Sequence, residues 1–183
     1  MTSIIKVDQI QDTGGNNLVT SDGSGVITAA GFGKIGQVKQ ASATTPQTFS
    51  STTYADVTNV SVSITPSSTS SKILVYYFVG QVSGISSGLA RFRLVRGSTA
   101  IAIGDAAGNR TQSTSISYAA ANYSQTTSGC FLDSPATSSA TTYKLQAAKN
   151  SGTDIKIGRS VSDSDGASMD RTPTVIIVAE VLP

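Results

Sequence analysis

The sequence contains no histidine and no tryptophan, a single cysteine (Cys130) and a single glutamate (Glu180). Without histidine there is no Ser-His-Asp or Cys-His catalysis and no imidazole metal site. One cysteine makes neither an intrachain disulfide nor a thiolate zinc site. Charged residues are 13% of the chain, and the formal net charge is +2. That is too little positive charge for a nucleic-acid groove, so no nucleic-acid partner is expected. The longest purely apolar run, Ile73 to Val79, falls far short of the ~20 residues of a membrane helix, so no membrane insertion is expected. The start, Met1-Thr-Ser-Ile-Ile-Lys-Val-Asp8, lacks the basic and apolar regions of a signal peptide. The expectation is a soluble, cytosolically made chain without disulfides.

Serine and threonine are abundant instead, at 52 of 183 positions, with much Val, Ile and Gly. Lys, Leu and Glu are scarce, which disfavours long helices and favours strands and turns. The length suits one main domain with an appendage. Residues 1–40 read as an extended arm: short apolar pieces separated by the turn clusters Asp12-Thr-Gly-Gly-Asn-Asn17 and Ser21-Asp-Gly-Ser-Gly25. Such clusters supply the positive-φ positions of tight turns. Strands this short make no core alone, so the arm is expected to become ordered by adding strands to another chain. Gly31-Phe-Gly33-Lys-Ile-Gly36 matches G-x-G-x-x-G, but no helix is expected after it, and it reads as a hinge rather than a nucleotide loop.

Residues 41–183 form a succession of strand-like segments. They include Val60–Ile64, Lys72–Gly80, Leu89–Val95, Thr99–Ile103, Ser113–Ala121, Gly129–Leu132, Thr141–Ala147, Ile155–Ile157 and Thr174–Leu182. Short strands at near-regular spacing with Ser/Gly/Asp turns predict an all-β antiparallel sandwich. Ile73–Val79 and Val175–Val178 are apolar without alternation, which predicts cover on both faces. A neighbouring subunit is the natural cover, with Tyr76, Tyr77, Val175 and Ile177 at the contact.

Three further clusters carry no chemistry on their own. Arg91, Arg93 and Arg96 alternate with apolar residues, which places Arg91 and Arg93 on the wet face of a strand. Asp163, Asp165 and Asp170 are close in sequence, but the EF-hand pattern fails, and a solvated turn is expected rather than a cation loop. Cys130 reads as a small buried core residue. No catalytic residue, cofactor or metal is assigned.

Segment Ile5-Lys-Val-Asp-Gln-Ile-Gln-Asp-Thr-Gly-Gly-Asn-Asn-Leu-Val-Thr-Ser-Asp-Gly-Ser-Gly-Val-Ile-Thr28 resembles the N-terminal part of structural proteins of tailed phages, notably those of marine and freshwater bacteria. Their knob domains are similar to Ala55–Pro66, Ser71–Val75, Phe131–Pro135, Thr141–Gln146 and Thr174–Val181. The resemblance spans nearly the whole chain and rests on strand-and-turn patterns. It implies a jelly-roll-like β-sandwich that assembles as a homotrimer, held on a virion surface by its N-terminal arm. The arm would dock on the major capsid protein or a tail protein by strand addition and burial of Ile4, Ile5, Val7, Ile10, Leu18 and Val26. That burial would contribute on the order of 10 kcal/mol per arm before ordering costs. The expected function is non-enzymatic capsid decoration; the alternatives are a short tail fibre contacting a host receptor, or a carbohydrate-binding adhesive module that meets a host surface glycan.

Overall fold

The computed structural model describes residues 7–21, 23–24, 27–29, 34–119, 123–150, 152 and 154–183. Among them are fourteen strands and no helix, and every strand pairing is antiparallel. The all-β expectation is met.

Strands β1 (Gln9–Gln11), β2 (Asn17–Ser21) and β3 (Ile27–Ala29) form a separate three-stranded sheet in that order. The β1–β2 turn is tied by Asp12, whose Oδ1 accepts from the Gly14 and Asn16 amides at 2.9 Å each. Gly15 supplies the positive φ (80°). The hydrogen bond from the Asn16 side chain, followed by that from its backbone, holds the Asp12 carboxyl below the usual range.

The body is built from two larger sheets. One contains β6 (Ala55–Ile64), β8 (Gly88–Arg96), β9 (Thr99–Ile101), β10 (Ser115–Ala119) and β12 (Thr141–Lys149). Its order is β10-β8-β12-β6, with β9 sharing the β8 edge with β10. Thr114 fills the gap between β9 and β10. Its amide donates to Phe92 O at 2.8 Å, its hydroxyl accepts from the Leu94 amide at 2.9 Å and donates to Ile101 O at 3.2 Å.

The other sheet contains β4 (Ile35–Ala43), β5 (Gln47–Phe49), β7 (Lys72–Gly84), β11 (Gln125–Asp133), β13 (Ile155–Ile157) and β14 (Thr174–Val181). β7 is its spine. One edge of β7 pairs with β11; the other pairs first with β14 and then with β13. β14 lies between β7 and β4.

Alternation explains the core. Ile73, Val75, Tyr77 and Val79 of β7, Ile176 and Val178 of β14, and Phe92, Leu94, Tyr143 and Leu145 opposite them are each under 5% exposed. In β6 the pattern breaks. Lys144 of β12 stands opposite Ser61 but Gln146 stands opposite Asp56, so residues 57–60 bulge out of the ladder. The bulge turns through Asn59 at φ 63° and keeps both Val57 and Val60 inward. The Gln47 carboxamide acts as a short piece of ladder here: it accepts from the Thr58 amide at 2.8 Å and donates to Thr58 O at 3.1 Å.

Four readings from the sequence need correction. The boundary expected at residue 40 cuts through β4, which pairs with β14 as part of the body. The cover expected on both faces of Ile73–Val79 and Val175–Val178 is present on one face only in the single chain, since successive side chains of a strand point to opposite faces. Tyr77, expected at a subunit contact, therefore points into the core at 3% exposure while its neighbour Tyr76 points out. Cys130, expected in the core, stands opposite Tyr76 on the outer face and is exposed.

Candidate functional site

The outer face of the β4–β14–β7–β11 sheet is apolar and open. Cross-strand pairing builds it rung by rung, since residues directly opposite share a face. Val38, Ala179, Leu74 and Leu132 form one rung, Gln40, Ile177, Tyr76 and Cys130 the next, and Ser42, Val175, Phe78 and Ser128 a third. Val38 is 58% exposed, Tyr76 50%, Leu132 45% and Phe78 41%. A depression of ≈ 260 Å³ lies among Tyr76, Phe78, Val175 and Ile177. Among the ladder-paired residues of this face, the only charge is Lys72, at the margin.

The opposite outer face, on the five-stranded sheet, is mainly polar, although Ile116 (59% exposed) and Tyr118 (43%) of β10 also stand on it. Arg91 and Arg93 point outward, as their spacing predicted, and each is held by a partner. Arg91 Nη2 bonds Asn150 Oδ1, and Arg93 donates to Gln146 Oε1 at 2.6 and 3.1 Å. The Arg93 guanidinium also lies 4.2 Å from the centre of the Tyr54 ring. Lys144 pairs with Asp56 at 2.8 Å beside it. One face of the sandwich is thus largely dressed for water, and the other is not.

Of the sequence-derived contact residues, Tyr76, Val175 and Ile177 meet on the apolar face; Tyr77 does not. Leu74, Phe78, Val38 and Leu132 also belong to the face and went unassigned. Parity with Tyr76 could have found Leu74 and Phe78. Nothing in the sequence discloses that Val38 and Leu132 flank them, because that depends on which strands pair. Of the arm residues, Val7 (55%), Ile10 (49%) and Leu18 (42%) are exposed apolar side chains. Ile4, Ile5 and Val26 lie outside the described residues.

The buried acids Asp133 and Glu180 are engaged in holding the fold. Asp133 accepts from Tyr143 Oη at 2.6 Å and pairs with Arg96 at 2.9 Å. Burial first, and then the bond to Asp133, raise the Tyr143 phenol far above its usual pKa. Glu180 Oε1 accepts from both the amide and the hydroxyl of Ser67 at 2.6 Å, and Oε2 accepts from Gln37 Nε2 at 3.0 Å. Burial alone would raise the Glu180 pKa, but these bonds outweigh it and hold it at about 2. Asp163 is gripped by Arg171 at 2.9 and 3.1 Å, with Arg159 3.8 Å away. Among the described residues, no three carboxylate or thiol side chains are grouped to hold a metal ion, and no helix is long and apolar enough to cross a membrane.

Comparison with known protein families and with curated protein sequences finds no match.

Proposed function

We propose that this protein is a non-enzymatic structural component of a bacteriophage particle: a homotrimeric surface knob, anchored by its N-terminal segment, that decorates or cements the capsid. The observation that carries the reading is the apolar outer face of β4, β14, β7 and β11. Four of its large side chains are each 41–58% exposed in the single chain, and removing a side chain of that size from water contributes about 1.5–3 kcal/mol. Further copies of this chain are the occupants that fit. The face carries almost no charge, so copies meet there without repulsion. The second face of the same sandwich carries the paired charges and carboxamides of Arg91, Arg93, Lys144 and Gln146, with Ile116 and Tyr118 exposed at its β10 edge.

The non-enzymatic part is supported by the saturation of the buried acids: Asp133 and Glu180 spend their oxygens on Arg96, Tyr143, Ser67 and Gln37. The anchoring part is supported by the separate sheet β1–β3 with its exposed Val7, Ile10 and Leu18. Placement as a short tail fibre or spike contacting a host receptor is the second reading, and its support is the loop groove described next.

Light scattering on the full chain tests the assembly. A trimer mass is expected, with the double variant Tyr76→Lys/Ile177→Lys running as a monomer of unchanged circular dichroism. A monomeric parent protein, or a double variant that still trimerises, would overturn the reading.

A further inference from the structure

Away from the assembly face, the loop joining β13 to β14 and the residues preceding β11 enclose a second depression, of ≈ 360 Å³. Its character is different. Tyr123 stands at its wall, 68% exposed, the most exposed large hydrophobic side chain among the described residues. Gln81 lines it at 7% exposure; its Nε2 donates to Ser124 Oγ at 2.7 Å, while Oε1 meets no donor among the described residues. Ser160, Ser162 and Asp170 complete the lining.

The loop is already set in shape. Arg159 and Arg171 form a β-bridge, and both guanidinium groups close on Asp163. The Ser160 and Ser162 hydroxyls donate only to Met169 Sδ, at 3.1 and 3.4 Å. Sulfur is a weak acceptor, so those hydroxyls are easily surrendered to a better one. A preformed groove avoids the ordering cost that a floppy loop would bring to binding.

We infer that this groove binds a neutral saccharide unit. An exposed tyrosine ring offers an apolar plate for the C–H face of a sugar ring, with its hydroxyl free at the rim. The Asp170 carboxylate accepts from sugar hydroxyls, and Ser124, whose oxygen already accepts from Gln81, has its own O–H to donate. Two alternatives meet an obstacle. Anionic ligands face the Asp170 carboxylate in the groove itself, while the Asp163 charge in the adjoining hollow is matched by Arg171; apolar ligands face serines. The inference goes beyond the assembly reading, and either stands if the other fails.

The test is retention of the full chain on an array of immobilised oligosaccharides: neutral hexose- and N-acetylhexosamine-terminated chains beside sialylated and sulfated ones. Retention by at least one neutral glycan is expected. Tyr123→Ala should weaken it roughly tenfold, the loss of one aromatic contact, with the thermal midpoint unchanged because Tyr123 is exposed. Tyr123→Phe, which keeps the plate, should retain most of the binding, and Asp170→Asn should weaken it. No neutral glycan retained, retention only on charged glycans, or equal retention by Tyr123→Ala would each overturn the inference.

Discussion

Gly129 stands directly opposite Tyr77 across the β7–β11 ladder, and a Cβ there would lie 2.8 Å from the tyrosine ring. The ring is buried, so it has nowhere easy to retreat. Gly129→Ala is expected to lower stability by about 1–3 kcal/mol, as overpacking does, seen as a lower midpoint in urea. A second residue-scale effect follows from Glu180. Its folded pKa of about 2 lies below the ordinary glutamate value of 4.5. The charged form therefore stabilises the fold fully above pH 4.5, and that contribution is lost as pH falls from 4.5 towards 2. Glu180→Gln should be less stable than the parent at pH 6 and should show a shallower fall in thermal midpoint between pH 4.5 and 2. Equal slopes for the two proteins would refute this role for Glu180. Its uniqueness was plain in the composition. Its partners were not, since Ser67 and Gln37 lie 113 and 143 residues away along the chain.

At the scale of elements, the strand pattern was legible wherever β-branched residues run between turn clusters; Ile155–Ile157 matches residue for residue. β4 was legible as a strand-like stretch from Gln37 onward, but β5 escaped because Gln47 and Thr48 leave it only one apolar residue, and pairing with β13 makes a strand of it. Pairing overrode propensity. The alternation in β7 was hidden for the opposite reason, since both of its faces are apolar, and only burial separates Tyr76 from Tyr77. The β6 bulge was equally invisible, although it leaves a mark that can be measured. Asn59 sits at φ 63°, a conformation open to Asn and Gly but strained for β-branched residues. Asn59→Val should cost about 1–2 kcal/mol, while Asn59→Gly should be near neutral; chemical denaturation of the pair distinguishes a strained bulge from a simple surface position.

For the molecule as a whole, among the described residues the sheet β1–β3 exchanges ladder hydrogen bonds only within itself. A chain lacking residues 2–30 should therefore keep the thermal transition of the parent, and should be lost from particles that retain the full chain. A truncated protein that stays on the particles would remove the anchoring role from this segment. The body closes in a demanding order. β14 is the last strand in the chain, yet it is the shared neighbour of β4 and β7, which are made more than 90 residues earlier. Until β14 emerges from the ribosome, β4 has no ladder partner and one edge of β7 stands bare beside its apolar outer face. The nascent body is thus held open until the eight residues of β14 are made, with β4 and residues 72–79 of β7 free to pair wrongly in the meantime.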